Sequence, residues 1–501
     1  MGLLSLLLWT PAVGALLLAF VPGQQAAFIR HIAHFFASLA LLLSVWLVMC
    51  YDRLDAQLQF NEYFPLNPTL GSTYALGVDG LSLPMLLLST LLTPVALLAS
   101  STTLSGPVKG YHICMLLVEF GMLGVFLAQD WALFYIFWEI MLIPLFFLIG
   151  HWGGQRRHAA SLNFVLSTLG GSLFMLISLL AISQYGSEHG DLLMTTLHQA
   201  AQTMPLQQQI MVLLGFLLGF GLSMATFPLH GWLPLALIQA PTAVSLLLAG
   251  ILLKMGAYGL IRVIVMLPEA AQALQPLLVF LAWFGMLYGG LLAWRQSNLK
   301  AMVAYSSVSH TGAVLFGVAS LNELGITGAV LQMTAHSLIA TGLLLMFGIL
   351  HTRTHTNSLF NYSNLTEKLP HFSVLLAVVL LAAMGLPGFV GFIAQLHILL
   401  GGFQQWHWLM VVFCLGWLIN AAYPLRALNL LLMGPAKPAL GPLDGLKPTE
   451  WLAASVLALV IVGFGLYPAP LLDLSAATNG QLARLIHGRI AASIQPLDHA
   501  R

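Results

Sequence analysis

The sequence has 501 residues, of which 59% are hydrophobic and only 7% are charged, and its mean hydropathy is +0.92. Soluble domains carry charge on roughly 25% of their residues, so this chain cannot cover the surface of a soluble fold, and its composition indicates a membrane protein embedded in the lipid bilayer. The net charge of +1 and the lack of a long Lys/Arg run argue against nucleic acid as a partner.

In chain order, fourteen apolar segments are long enough to cross a bilayer, which needs about 20 mostly apolar residues. They lie at 2–21, 32–50, 78–100, 111–128, 131–150, 161–183, 208–227, 242–266, 272–294, 299–320, 326–350, 372–400, 405–433 and 450–469. The predicted fold class is therefore all-α, a polytopic membrane protein with about fourteen transmembrane helices. The first segment has neither a basic flank nor a clear cleavage site, which favours a retained helix over a signal peptide.

Basic residues are concentrated in the loops after odd-numbered segments, and the positive-inside rule places these loops in the cytoplasm. They are Arg30, Lys109, Arg156, Arg157, Arg295, Lys300, Arg353, Lys368, Lys437 and Lys447, whereas the other loops hold Arg53 and Arg262. Both termini are then predicted outside the cytoplasm, although Arg484, Arg489 and Arg501 run against the rule.

Near the end of the chain, apolar residues recur at helical spacing. They are Leu482, Leu485, Ile486, Ile490 and Ile494. This pattern predicts an amphipathic helix that lies at the membrane interface or docks on a partner.

Two prolines interrupt long apolar segments at matching places, Pro228 in the seventh and Pro387 in the twelfth. Such breaks are tolerated in a bilayer where the freed backbone lines a cavity or meets protein. Paired interruptions predict two inverted five-helix repeats, at 111–266 and 272–433, preceded by helices within 1–110 and followed by a last helix and tail at 434–501. The alternative is chance placement among 24 prolines.

Three charged residues lie near the middle of apolar segments: Glu119, Glu139 and Lys254. An ionisable group at a helix centre costs about 2.5 to 3.5 kcal/mol on insertion scales and is by default a functional candidate. Because burial disfavours the charged forms, these groups are suited to exchanging protons. The alternative is a structural ion pair in which Lys254 neutralises one of the carboxylates.

Histidine titrates near neutrality and can relay protons, although a packing role is equally compatible with each position. The candidates are His230, His310, His336 and His397. His351 and His355 have the spacing of a metal pair but fall in a predicted loop without a third ligand, so no metal is predicted. Cys50, Cys114 and Cys414 are too scattered for a disulfide framework or an iron-sulfur site.

Several motifs carry a resemblance to a known family. They are Gly77-Val78-Asp79-Gly80-Leu81-Ser82, Phe137-Trp138-Glu139, Ala240-Pro241-Thr242-Ala243 and Ala249-Gly250-Ile251-Leu252-Leu253-Lys254. On these residues nearly the whole chain resembles the antiporter-like membrane subunits of respiratory complex I, the NADH:quinone oxidoreductase. Met122-Leu123-Gly124-Val125-Phe126, Gly153-Gly154-Gln155-Arg156-Arg157 and Ala304-Tyr305-Ser306-Ser307-Val308-Ser309-His310 resemble the M type of the bacterial complex.

The resemblance implies a bacterial inner-membrane protein with fourteen helices, two inverted repeats and a row of protonatable residues along the midplane. It implies no redox centre and no cofactor in this chain, and other membrane-arm subunits as partners. Residue by residue, Glu119 and Glu139 match the family's glutamates of the fourth and fifth helices, and Lys254 matches the lysine of the eighth, which links the half-channels. His310 and His336 match histidines of the polar axis.

Three family positions differ here: a lysine of the interrupted seventh helix is Ser223, a glutamate after the second break is Gln395, and a lysine of the sixth helix is Asn163. Serine and glutamine can hydrogen-bond water but cannot release a proton near pH 7. The expected function is a proton-translocating subunit in a redox-driven pump, with His397 as a substitute station. The alternatives are a structural, non-pumping subunit, or a D-type subunit of a multisubunit Na+/H+ antiporter or a hydrogenase membrane arm.

Overall fold

A computed structural model of the chain describes residues 2–67, 71–104, 106–186, 192–434 and 443–494, with side chains up to residue 490. The predicted positions Lys437 and Arg501, and the side chain of Ile494, lie outside the described part. The helices of the first half are α1 (Leu3–Phe20), α2 (Ala26–Cys50), α3 (Ser82–Thr103), α4 (Val108–Leu127), α5 (Trp131–Trp152), α6 (Arg157–Ser183), α7 (Met194–Thr203), α8 (Leu206–Ser223), α9 (Trp232–Gln239), α10 (Thr242–Leu247) and α11 (Leu253–Met266).

The second half continues the same pattern of long helices joined by short connections. Its helices are α12 (Pro268–Ala273), α13 (Gln275–Arg295), α14 (Leu299–Ala319), α15 (Glu323–Thr354), α16 (Leu365–Lys368), α17 (Pro370–Ala383), α18 (Val390–Trp406), α19 (Met410–Leu432), α20 (Pro448–Leu466) and α21 (Ala469–Ile494). Arg353 and His351, predicted in a loop, lie instead in the last turns of α15, because its apolar sequence continues into a polar extension.

Among the described residues, thirteen helical stretches are long and apolar enough to cross a membrane. One of them, Val390–Leu432, has 43 residues, about twice the length that one crossing needs. The chain turns within it at His407, where φ is 44°, so this stretch provides two crossings and the total is the predicted fourteen. The chain is a multi-pass membrane protein.

Both predicted helix interruptions are present. α8 ends at Ser223 and α17 ends at Ala383, each earlier than the predicted segments 208–227 and 372–400. A proline has no N–H to donate, and its ring clashes with the carbonyl four residues before it. A helix therefore ends about four residues before each proline, near position 224 for Pro228 and near position 383 for Pro387. Each break falls in the fourth crossing of its half. The inverted relation between the halves stays a prediction.

A two-stranded antiparallel ribbon, β1 (Gln59–Asn67) and β2 (Ser72–Val78), lies between α2 and α3. The all-α prediction missed it and began a helix at residue 78, whereas α3 begins at Ser82. The ribbon is anchored by Glu62, whose carboxylate accepts hydrogen bonds from the backbone N–H groups of Leu4, at 2.8 Å, and Ser5, at 3.2 Å. A carboxylate at a helix start satisfies orphan donors and complements the helix dipole.

The predicted amphipathic helix near the end of the chain is α21, and it packs against its own chain. Leu482 and Ile486 are buried, while Leu485 stays 43% exposed. The Asn479 amide donates to the hydroxyl of Thr327 on α15 at 3.2 Å. The described part of α21 therefore closes one side of the central helices.

The interior of the bundle is formed by α10, α11, α14 and α15. Every residue in the most apolar window of α15, and of the crossing Thr242–Met266, is buried, whereas only 33% of the corresponding window in α2 is. Polar side chains on these central helices therefore lie far from lipid and face one another.

Candidate functional site

Lys254 lies at the centre of the bundle, just after an irregular turn of its helix. Residues Leu248–Leu252, between α10 and α11, form a π-helical turn, a feature frequent at functional sites. The Lys254 ammonium donates a hydrogen bond to the carbonyl of Ala249 at 2.5 Å, and its Nζ lies 2.7 Å from Nδ1 of His336 on α15. The hydroxyl of Ser337 donates to the carbonyl of Gly250 and fixes the same turn against α15.

The contact between Lys254 and His336 continues into a row of polar groups. The rings of His336 and His310, on α14, have centroids 4.8 Å apart. Nδ1 of His310 lies 3.0 Å from the amide nitrogen of Gln332, and its Nε2 lies 3.3 Å from the hydroxyl of Tyr423 on α19. Lys254, His310 and His336 are each 4% exposed. We call these five side chains the central row.

Within the central row, Lys254 and His336 are close enough to exchange a proton. Lys254 and His336 are both bases, and like charges at hydrogen-bond distance in a buried site repel strongly, so their contact holds a single shared proton. Nε2 of His336 has no hydrogen-bond partner among the described residues. Beside it lies a cavity of about 10 Å³, lined by Met224, Thr311 and other side chains, which is about the smallest cavity that can hold one water molecule.

Cavities lie near both ends of the crossing that carries Lys254. One, of about 470 Å³, borders Thr242 at the start of α10 and is also lined by Lys300 and His351. The other, of about 310 Å³, borders Met266 at the end of α11 and is lined by Arg262 and side chains of α7 and α21. The amine therefore lies on a crossing that has a cavity near each of its two ends.

The two predicted glutamates lie apart from the central row. Glu119 on α4 is fully buried, and neither of its carboxyl oxygens has a hydrogen-bond partner among the described residues. Glu139 on α5 is half-buried, beside the hydroxyl of Tyr135 one turn earlier. Lys254 makes its contacts to His336 and Ala249 and not to these carboxyls, so the geometry does not show the structural ion pair that was the alternative.

Two of the family positions that differ here face the interior, and the third does not. Ser223, the last residue of α8, and Gln395, on α18, are each 3% exposed. Oε1 of Gln395 has no hydrogen-bond partner among the described residues, and it lies against Gly385 in the second break, where a Cβ would collide with it. Asn163 is exposed on the outer face of α6.

His397 is not joined to the central row by a hydrogen bond of the described residues. It is half-buried, and its Nδ1 lies 2.8 Å from the carbonyl of Ile393 in its own helix. Its predicted role as a substitute station stays a prediction. His351 and His355 have ring centroids 6.4 Å apart at the end of α15.

The sequence analysis missed an ion pair between two residues of the first half of the chain that are 183 positions apart. Arg262 on α11 contacts both carboxylate oxygens of Asp79, at 2.6 and 2.8 Å. Asp79 also accepts hydrogen bonds from the backbone N–H groups of Leu81 and Ser82 at the start of α3. Burial works to raise the pKa of Asp79, but the charge and hydrogen bonds of Arg262 hold it below its ordinary value.

Comparisons with known proteins agree with this architecture. The sequence profile of the transmembrane family described as NADH:quinone oxidoreductase/Mrp antiporter matches residues 128–419. The NAD(P)H-quinone oxidoreductase chain 4 2 of Thermosynechococcus vestitus is 36% identical over 98% of this chain and 94% of its own length. The NAD(P)H-quinone oxidoreductase chain 4 of Gloeobacter violaceus is 35% identical over 98% of this chain and 95% of its own length.

Solved structures give the same result for the fold. A chain of respiratory complex I from Thermus thermophilus superposes with a TM-score of 0.88 at 29% identity, covering 96% of this chain and 99% of that one. A chain of the Mrp complex from Dietzia sp. superposes with a TM-score of 0.85 at 20% identity, covering 96% and 98%, and shows likeness of fold alone. With a profile match over more than half its length and relatives that align with nearly all of it, the chain belongs to the NADH:quinone oxidoreductase/Mrp antiporter family of transmembrane subunits.

Proposed function

We propose that the chain is an antiporter-like membrane-arm subunit of a bacterial NAD(P)H-quinone oxidoreductase, and that it translocates protons through the central row. The observation that carries the proposal is the buried contact of Lys254 with His336, continued by His310, on a crossing that has a cavity near each end. The names of the cyanobacterial relatives support the assignment to this complex. Electron transfer from NAD(P)H to quinone is assigned to other subunits of the complex, with sister antiporter-like subunits as neighbours.

The geometry suggests how the central row passes a proton. A proton moving from Nζ of Lys254 to Nδ1 of His336 leaves that ring doubly protonated, and its Nε2 can then release a proton into the small cavity, which His310 also lines. His310 in turn lies next to the hydroxyl of Tyr423, which both donates and accepts hydrogen bonds. Lys254 returns to its charged form by taking a proton from the other side.

A second candidate function is a structural subunit that does not pump, and two residues favour it. Ser223 and Gln395, buried at the two helix breaks, cannot titrate near pH 7. Replacing a buried charge by a neutral group need not harm packing, so the same fold serves either function. The test must therefore separate assembly of the complex from coupling.

The variant Lys254→Met distinguishes the two functions, because it removes the amine and keeps the length and apolar character of the side chain. In inverted membrane vesicles we expect NAD(P)H:quinone electron transfer to persist while the protons taken up per electron, measured with a pH-sensitive fluorescent dye, decrease. Lys368→Met, which removes an amine outside the central row, is the control and should leave the ratio unchanged. If Lys254→Met assembles and keeps the full ratio, the chain has the structural function.

The proposed orientation places both termini outside the cytoplasm of a bacterial inner membrane. It follows from the positive-inside rule and is supported by the even number of crossings. A reporter enzyme that is active only outside the cytoplasm, fused after Arg501, should be active, and an inactive but stable fusion would reverse the orientation.

A further inference from the structure

Basic side chains collect where α2 and α4 enter the membrane. They are Arg30, His31, His34, Lys109 and His112, which we call the basic cluster. α2 crosses the membrane in one direction and α3 crosses back, so α4 starts on the same side as α2. The members of the cluster lie near one another, since His34 is under the electrostatic influence of His112, His31 and Arg30, and the Lys109 ammonium donates to the carbonyl of Ala19, at the end of α1, at 2.7 Å.

Two buried nitrogens of the basic cluster have no partner among the described residues. His112 is 1% exposed, and its Nδ1 lies 2.8 Å from the carbonyl of Val108, while its Nε2 makes no hydrogen bond. Nε of Arg30 is also buried without a partner. Buried polar atoms are nearly always hydrogen-bonded in folded proteins, so the unpartnered Nε–H of Arg30 is a donor available to a ligand. The Nδ1–H of His112 is used on the carbonyl of Val108, so its Nε2 becomes a second donor only when the ring takes up another proton.

The chemistry of the cluster selects an anion. α1 and α2 contain no Asp or Glu, and the acid of α4, Glu119, lies seven residues beyond His112. Arginine presents a planar fork of donors that matches a phosphate, and lysine adds a point charge. Arg30 is the fifth residue of α2, so at 1.5 Å per residue it lies roughly 6 Å along the helix from its start, from where its long side chain can reach the lipid headgroups.

The surface beside the cluster selects a lipid over a free anion. Phe20, at the end of α1, is 80% exposed, and Phe28 and Phe35, which flank Arg30 and His34 on α2, are 54% and 61% exposed. A free phosphate gains nothing from contact with these apolar side chains, whereas the acyl chains of a lipid pack against them. Basic pockets between transmembrane helices on the cytoplasmic side bind anionic headgroups. We infer that the basic cluster binds the phosphate of an anionic phospholipid.

The test uses the full chain in detergent micelles with equal amounts of phosphatidylglycerol and phosphatidylcholine, and counts the retained lipids by native mass spectrometry. We expect phosphatidylglycerol to be retained in preference to phosphatidylcholine. Arg30→Gln should lower that retention roughly fivefold, and Arg30→Lys, which keeps the charge, should lower it less. Arg53→Gln removes the same charge just beyond the opposite end of α2 and should have no effect.

Three results would overturn the inference. Equal retention of the two lipids by the wild-type chain would show that the cluster does not select an anion. Full displacement of phosphatidylglycerol by inorganic phosphate would make the ligand a free anion. Unchanged retention in Arg30→Gln would show that Arg30 does not bind the lipid, and its partner would then be a carboxylate of a neighbouring subunit.

Discussion

The ion pair between Asp79 and Arg262 provides the sharpest prediction of stability. The variant Asp79→Ala leaves the guanidinium without its carboxylate in a site where only 13% of the Arg262 side chain is exposed. Breaking a buried pair by removing one partner costs about 3 to 5 kcal/mol. The same variant removes a carboxylate that accepts two backbone hydrogen bonds at the start of α3, which is part of that loss and amounts to about 1 kcal/mol.

A second substitution separates these contributions. Replacing a buried pair by apolar residues is often neutral, so the double variant Asp79→Ala/Arg262→Leu should regain most of the loss and remain about 1 kcal/mol below the wild type, because the capping hydrogen bonds stay absent. The assay is equilibrium unfolding of the full chain in mixed micelles by titration with sodium dodecyl sulfate, followed by tryptophan fluorescence. Asp52→Ala, which removes an exposed carboxylate, is the control and should change stability by less than about 0.5 kcal/mol.

The pair also has a defined pH dependence. Arg262 lowers the pKa of Asp79 in the folded chain. The stabilising effect of the ion pair is therefore complete above the pKa of Asp in the unfolded chain, about 3.9, and is lost as the pH falls through the lower pKa of the folded chain. Between pH 6 and 8 this contribution should therefore be constant, and stability should show no pH dependence from Asp79. Additive losses in the double variant, or a loss below about 1 kcal/mol in Asp79→Ala, would refute the assigned energies.

Three further variants test packing and proton transfer. Gly124→Ala would bring its Cβ into collision with the Phe137 ring of α5 and should cost about 1 to 3 kcal/mol in detergent unfolding. Gly463→Ala, whose Cβ would meet no atom within 4 Å, should not destabilise, and equal stabilities of the two variants would contradict the packing. Tyr423→Phe removes the hydroxyl beside His310 and should lower the protons taken up per electron in vesicles, by no more than Lys254→Met does, at unchanged electron transfer. An unaltered ratio would remove the tyrosine from the route. Gln395→Glu should raise the protons taken up per electron by supplying a titratable group at the second break, and no change would show that this break is not on the route.

Hydropathy and proline placement predict most of the membrane fold, because both act locally. A bilayer requires long apolar helices, and a proline ends a helix whatever surrounds it, so the breaks at Pro228 and Pro387 are visible in the sequence. The ribbon of β1 and β2 is not, since the burial of its two strands follows no clean alternation and it is fixed by contacts such as that of Glu62 with the start of α1.

The candidate site is only partly visible for a related reason. Lys254 stands out because a charge in an apolar helix is expensive, and the histidines stand out by their chemistry. Gln332 and Tyr423 are neutral residues in apolar segments, where such side chains are common, and only the approach of α15 and α19 to His310 gives them a role. The same holds for Asp79 and Arg262, because sequence distance carries no information about which charges meet.

The π-helical turn at Leu248–Leu252 fixes the number of residues in this part of the chain. A π turn holds one residue more than an α-helical turn, and each residue rotates the helix by about 100°. Deleting one residue here would therefore turn Lys254 away from His336, or turn α10 away from its contact with α15, where Thr341 donates to the carbonyl of Leu246. We therefore expect related chains that keep the lysine to show substitutions within Leu248–Leu252 but no insertions or deletions.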